Sequence, residues 1–512
     1  MVEVVAFFTW LIVGRSTWFY IDEWDFLAGR KAGDVNDLFR PHNGHWTTLP
    51  VLAFRLLYWA FGLRVYLPYR IVVIVLYLTA AALMLVLMRR TGVDPWIATA
   101  AATFFALFGA GWENIILPFQ ITVMGSFTFG LVYLLLADHD GPFDRRDWLG
   151  ILAGVLALMC SAVGLVMVAA VGAAVLMRRG WHVALRYVVP PAACYAIWLV
   201  AIGHRDTGSG VYEAGAVTRF AAMEIRATFG ALGPAAFFGI VLGFVLIVGL
   251  VLASNQRRGA DRAGPRLTQL AAPVALLAGA LMLVVLAAVN GAGFGSDWAR
   301  QSRYVGLLGA MTLPALAVAA DALTRRWNRL LPFAVALFLV GIPANLHAAA
   351  REERVLRARD TATRSTMLSL AHDPLARTVP RTVRPEPTTA FEVTIGWLLD
   401  AEAHGNLPAA PRLTPDLKAS DQFRLSFVVA RGPTPSANCR SARRPFVIDL
   451  RKGDRIGLYD DAAFLEPSPP ALIGLHMLYT PIDQPITVLR DVGPTGVTPV
   501  PGGTLRICIA RR

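Results

Sequence analysis

The sequence is poor in charge and nearly devoid of lysine. Only 16% of its 512 residues are charged, against 55% hydrophobic, and lysine occurs at Lys31, Lys418 and Lys452 alone. So little charge excludes a soluble globular protein of this length. A mean hydropathy of +0.52 names the bilayer as the solvent. Acid is scarce as well: 35 acidic residues face 48 basic ones, a formal +13 carried almost wholly by arginine, the bias of a GC-rich bacterial genome. Nucleic acid is the usual partner of a basic chain. Here the arginines stand in short clusters between apolar runs, where membrane topology accounts for them and no nucleic acid is expected. Cysteine is rare. Cys160 and Cys194 lie inside apolar runs and read as small buried hydrophobes, implying no metal site. Cys439 and Cys508 fall in the polar C-terminal region, where an even pair in an oxidising compartment can close one disulfide. No glycine-rich phosphate loop follows a strand pattern, so nothing marks a nucleotide site.

What the chain has is apolar runs of spanning or near-spanning length, about eleven by the measure of roughly 17 to 25 residues per span. They cover Val4 to Ile21, Tyr66 to Met88, Trp96 to Gly111, Ile121 to Ala137, Trp148 to Cys160, Val163 to Met177, Val183 to Gly203, Gly230 to Ala253, Leu267 to Asn290, Val305 to Ala320 and Leu331 to His347. The first starts beside Glu3 and carries Arg15, the reverse of a signal peptide, so it reads as a first span whose start codon is set too late.

Arginine accumulates in cytoplasmic loops. Arg89-Arg90, Arg145-Arg146, Arg178-Arg179, the run Arg257 to Arg266, and Arg325-Arg326 with Arg329 fall on every second connection. That alternation requires Trp148 to Met177 to be two short helices turning near Ser161 to Gly164. The loops Asp22 to Val65, Trp112 to Gln120, His204 to Phe229 and Gly291 to Tyr304 then face outward, as does everything after about Ala348. Thr218 to Phe229 has the pattern of an amphipathic helix on the membrane.

Composition changes after Ala348. A charged helical stretch, Arg351 to Ala371, is followed by Pro380, Pro385 and Pro387. Beyond Asp421, short alternating runs at Phe423 to Ala430, Phe446 to Leu450, Ile456 to Tyr459, Leu472 to Tyr479, Ile486 to Leu489 and Thr504 to Ala510 are parted by Gly and Pro, the pattern of a small β-sandwich. The expected architecture is a polytopic α-helical membrane domain over 1–348, a helical segment and Pro-rich linker over 349–420, and an extracytoplasmic, mainly-β domain over 421–512.

Directly after the first run stands Tyr20-Ile21-Asp22-Glu23-Trp24-Asp25-Phe26, three carboxylates among aromatics at a membrane surface. A solvated acid beside an interfacial Trp belt is the plain alternative. The arrangement resembles the GT-C type glycosyltransferases, which include the protein O-mannosyltransferases and the mycobacterial arabinosyltransferases. The likeness covers the first span ending in an acidic pair, the long first external loop, the short mid-chain helix pair and an external C-terminal domain. The resemblance implies a catalytic base at Asp22 with Glu23 as the second acid, a polyprenyl-phosphate sugar as donor, an envelope glycan or lipid as acceptor, and a bacterial plasma membrane location. A carboxylate there suits deprotonation of an acceptor hydroxyl attacking an anomeric carbon.

Other outward residues carry suitable chemistry. His42 and His45, in Arg40-Pro41-His42-Asn43-Gly44-His45-Trp46, have donors for a divalent cation shared with Asp22 or Asp25, or for a sugar or phosphate; the spacing fixes no metal site. Glu113 and Gln120 bracket the second external loop and suit substrate orientation, with a solvated loop Glu as the plain reading. Arg300 and Arg303 are outward arginines against the positive-inside trend, and a forked guanidinium suits a lipid phosphate. The resemblance favours Arg303 for the phosphate and Tyr304 as interface anchor, against a snorkelling arginine. His204, Arg205, Glu224 and Arg226 are weaker candidates. The rival classes are a lipid-linked glycan transporter or flippase, which would place ionisable groups at mid-membrane, and a non-catalytic envelope assembly protein.

Overall fold

The computed structural model describes residues 1–31, 33–203, 213–235, 237–258, 267–295, 297–429, 432–468, 477–480 and 484–511. Helix α1 (Val2–Val13) stops at Gly14. The expected first span through Ile21 is thus 12 residues of helix, on the order of 18 Å long and short of a bilayer core. The external loop that follows is itself helical: α2 (Asp22–Leu27), α3 (Val35–Phe39) and α4 (Thr48–Phe61). Helix α4 exposes Leu52, Leu56 and Trp59, the apolar surface of a helix too short to cross a membrane.

The remaining apolar runs fall on α5 (Leu67–Arg90), α6 (Pro95–Ala106), α8 (Ile121–Ala137), α9 (Arg145–Leu158), α10 (Val163–Arg179), α11 (Trp181–Ala201), α13 (Phe238–Arg258), α14 (Ala271–Gly291), α15 (Ser302–Arg326) and the pair α16 (Leu331–Leu339) and α17 (Ile342–His372). Between them lie the short α7 (Glu113–Ile116) and α12 (Ala214–Leu232). Capping fixes several starts. Asp94 accepts from Trp96 N with Pro95 in the first turn of α6, and Asp144 with Asp147 forms a capping box on α9. Among the described residues seven helical stretches are long and apolar enough to cross a membrane, and this is a membrane protein. The two short helices α9 and α10 turn at residues 159–162, as the arginine pattern requires. The run expected from Gly230 instead breaks after Leu232, where Gly233 and Pro234 end α12 before α13 begins. Cys160 is buried, but Cys194 is exposed on α11.

The chain folds into two compact units. The first comprises Met1–Arg15, Val35–Ala53 and Leu67–Val355. At its centre α15 is enclosed along its whole apolar window. The arginine-bearing loops of this unit bind one another: Arg90 donates to Leu135 O at 2.8 Å, Arg257 to Thr91 O at 2.9 Å and Arg325 to Gly92 O at 2.5 Å. Arg178 pairs with Asp138, and Arg179 with Asp147 at 2.6 Å. Loops assigned to one side of the membrane by charge therefore meet at one end of the unit.

The second unit comprises Ser16–Asp34, Phe54–Tyr66 and Leu356–Arg512, and includes α18 (Ile395–Ala403) and α19 (Pro415–Arg424). Its strands are β1 (Phe427–Val429), β2 (Cys439–Ala442), β3 (Phe446–Leu450), β4 (Arg455–Tyr459), β5 (Ala463–Pro467), β6 (Met477–Tyr479), β7 (Ile486–Val488), β8 (Gly493–Pro499) and β9 (Leu505–Ala510). They form a five-stranded sheet ordered β1-β7-β4-β9-β2 and a four-stranded sheet ordered β3-β8-β5-β6. Leu450, Ile456, Leu465, Val497 and Ile507 fill the core. The alternating runs at 446–450, 456–459, 486–489 and 504–510 became strands as expected, whereas the run from Phe423 begins in α19 and is a strand only over β1, and the start of the Leu472 run lies outside the described residues. Strands β2, β5 and β8, CRSA, AFLEP and GPTGVTP, were not legible because none alternates apolar with polar residues. Cys439 and Cys508 face each other across β2 and β9 and are bonded. By loop-closure entropy such a bond, 69 residues apart, contributes about 4 kcal/mol.

Candidate active site

The acidic motif belongs to the second unit, on a turn fastened at several points. Trp18 N donates to Asp360 Oδ2 at 3.0 Å, Ile21 N to Thr389 O at 3.0 Å, and the Arg359 guanidinium lies 3.4 Å from the Tyr20 ring centre. Ile21 has φ 34°, ψ −98°. A β-branched residue there carries strain on the order of 1–3 kcal/mol, which persists only where surrounding bonds over-determine it. Immediately after it, Asp22 opens α2 and is half-buried. Glu23 is 2% exposed and accepts from Tyr66 Oη at 3.0 Å and Tyr20 N at 3.1 Å. Asp25 is engaged by Arg30 at 2.8 Å, with side-chain exposures of 9% and 0%. Its carboxylate is committed to that buried pair.

The other candidates belong to the first unit. His42-Asn43-Gly44-His45 is a tight two-residue turn: the two histidines exchange backbone hydrogen bonds of 3.0 and 2.9 Å, with φ of 49° at Asn43 and 74° at Gly44. That is the Asn-Gly hairpin geometry, in which asparagine and glycine tolerate positive φ. The histidines are thus cross-strand neighbours on a turn. His42 packs on Phe119, and Asn43 Nδ2 lies 3.1 Å from His42 Nε2. Desolvation by the surrounding protein, aided by the positive charges of His42 and Arg303, lowers His45 to about 4 although the residue is exposed at the turn. The ring is neutral at physiological pH.

Glu113 N donates to Ser302 Oγ at 3.1 Å, and Asn114 Nδ2 to Arg303 O at 2.8 Å, tying the second external loop to the start of α15. The approach needs glycine: a Cβ on Gly306 would lie 2.8 Å from Gly111 Cα and 2.8 Å from Asn114 Nδ2. Burial raises the Glu113 carboxyl, opposed by Arg303 and reinforced by Glu352. The Arg303 guanidinium sits 5.5 Å from the Trp298 ring centre and 5.3 Å from that of Tyr304. Beside this knot opens a pocket of about 770 Å³ lined by Glu113, Arg226, Arg300, Gln301, Ser302 and Glu352, with Trp112 and Met223 among its apolar walls. Its charged and polar walls, Glu113, Arg226, Arg300, Gln301, Ser302 and Glu352, come from segments that the arginine pattern assigns to the outer side.

Residues read separately in the sequence are therefore brought together in part. His45 lies within electrostatic range of His42 and Arg303, Glu113 lies within range of Arg303, and Glu113 shares the pocket with Arg300. Gln120 is buried with Oε1 unpartnered among the described residues. Tyr304 packs with Phe220, Ala288 and Trp298. Arg226, a weak candidate, lines the pocket; Glu224 is buried, its carboxyl raised to about 8 by desolvation. His204 and Arg205 lie outside the described residues. Glu352 and Tyr66 were missed: Glu352 sits in a run that reads as a solvated helix, and Tyr66 reads as the first residue of a span. Among the described residues, the three grouped metal-ligand side chains are His139, Asp144 and Asp147, at the arginine end, where Asp147 is already held by Arg179 and Tyr187.

No family model matches the chain, and no curated protein does. Among solved structures it aligns with ArnT from Cupriavidus metallidurans bound to undecaprenyl phosphate, over 97% of each chain, at 14% identity and a TM-score of 0.43. A likeness that loose carries no argument, so the functional reading rests on the residues.

Proposed function

We propose that this chain is a membrane glycosyltransferase that moves a sugar from a polyprenyl-phosphate donor to an envelope glycan or lipid acceptor. The observation that supports the reading is that Glu113 and His45, from two separate segments, each lie within electrostatic range of Arg303, and that Glu113 lines a pocket together with Arg226 and Arg300. Arginines suit a phosphate, and the pocket is large enough for a phosphorylated sugar. In this mechanism Asp22 takes the proton of an acceptor hydroxyl as its oxygen attacks the anomeric carbon. The new glycosidic bond forms as the bond from that carbon to the phosphate oxygen breaks. Arg300 and Arg303 balance the charge that develops on the departing lipid phosphate. Glu113 and neutral His45 orient sugar hydroxyls. We assign the sandwich over 421–512 to the extracytoplasmic side of a bacterial plasma membrane, in keeping with a disulfide between Cys439 and Cys508.

The test is incubation of proteoliposomes holding the full chain with a panel of polyprenyl-phosphate sugars and lipid or glycan acceptors. The expected result is release of free polyprenyl phosphate in step with glycosylated acceptor. Movement of an intact donor across the vesicle without cleavage would instead make the protein a transporter.

A further inference from the structure

Glu23 stands beside the proposed base, yet it is turned into the protein. Its carboxylate receives Tyr66 Oη at 3.0 Å on one oxygen and 3.1 Å on the other, and the backbone N–H of Tyr20 at 3.1 Å. Glu23 is 2% exposed and Tyr66 8% exposed. The Tyr66 ring in turn packs edge-on against Phe19, with centroids 4.6 Å apart. Phe19 and Tyr20 immediately precede Ile21, the residue whose backbone is held at φ 34°.

We propose that Glu23 is a positioning residue and that Tyr66, 43 residues further along the chain, is its partner: together they lock the strained turn that presents Asp22. The inference rests on the glycosyl-transfer reading with Asp22 as base. The geometry distinguishes this task from proton transfer. A group that shuttles protons must reach substrate or water, whereas Glu23 spends its oxygens on a buried phenol and on the backbone of the turn itself. A strained residue relaxes unless bonds on both sides prevent it. Ile21 N is fixed by Thr389 O, and Tyr20 N, one residue earlier, by Glu23. Releasing the second anchor lets the turn relax and displaces the carboxylate of Asp22, and a displacement of about 1 Å can cost on the order of a hundredfold in rate.

Chemistry at Glu23 separates the two roles. Glutamine keeps the geometry without the charge, because its oxygen accepts from Tyr20 N–H while its amide donates to Tyr66 Oη. Alanine keeps neither. In proteoliposomes of the full chain, Glu23→Gln is expected to lower kcat about threefold and Glu23→Ala about a hundredfold, with the donor KM within about twofold in both, the mark of a lost transition-state alignment. Tyr66→Phe is expected to lower kcat about tenfold, and combining it with Glu23→Ala to add no further loss, since both act through one unit. Hydrogen exchange of the amides from Trp18 to Asp25 is expected to accelerate in Tyr66→Phe while those of the sandwich core stay protected. Glutamine as damaging as alanine would make Glu23 a proton-carrying group and overturn the proposal. So would a Tyr66→Phe protein with unaltered rate and unaltered exchange. If the wild type turns over no donor, the transfer reading fails on its own account, and exchange at Trp18 to Asp25 still decides whether Tyr66 and Glu23 hold the turn.

Discussion

At one end of the first unit Arg179 closes on Asp147 at 2.6 Å and Arg325 on Asp321 at 2.7 Å, with both carboxylates nearly or wholly enclosed. At the other end Arg300 meets Asp297, a carboxylate 96% exposed, at 3.8 Å, and shares a pocket of about 770 Å³ with Arg226, Glu113 and Glu352. The residue types are the same. In the first case the charges have consumed one another and hold loops together; in the second they surround space. A buried closed pair is costly to break and contributes little beyond that, whereas charges left facing a cavity are suited to a ligand.

Breaking the closed end gives the largest effect on stability. Asp147→Ala leaves Arg179 without its carboxylate partner and Tyr187 without its acceptor, and is expected to cost about 3–5 kcal/mol, seen as a lower unfolding midpoint in detergent. Gly306→Ala tests the packing that carries Glu113 to α15. The added methyl meets Gly111 and Asn114, so a loss of about 1–3 kcal/mol is expected together with a fall in transfer. At the open end the effect moves from stability to substrate. Arg226→Ala and Arg300→Ala are each expected to change stability by less than about 0.5 kcal/mol and to raise the donor KM about tenfold. Equal loss of stability at both ends would erase the contrast.

A subtler comparison lies in the second unit. Burial raises Asp421 to about 7, with Ser369 Oγ donating to it at 3.0 Å. The folded state thus binds this proton more tightly than the unfolded chain, whose aspartate titrates near 4. The stabilisation is fully present below about pH 4 and is lost as pH rises to about 7. Asp421→Asn is expected to flatten that slope in unfolding midpoints measured between pH 4 and 8.

The arginine clusters were legible in the sequence because one strong rule, the exclusion of positive charge from the outer side, acts on each loop independently. The helix pair α9 and α10 follows from it. The alternating runs at 446–450 and 456–459 were legible for a similar local reason. What was not legible depends on distant partners. Asn114 reaches Arg303 across 189 residues, and Tyr66 reaches Glu23 across 43, and neither spacing has a periodicity to reveal it. The acidic motif drew attention by its place at the end of an apolar run. Which of its three carboxylates faces inward, with Asp25 on Arg30 and Glu23 on Tyr66, only the folded chain displays.

Sugar transfer from polyprenyl-phosphate donors by the wild type and by Asp22→Asn, at equal expression in the same membranes, tests the central claim most directly. Loss of a general base predicts transfer reduced by about 10² to 10⁴-fold with the protein still folded. Transfer that proceeds undiminished in Asp22→Asn would contradict the account.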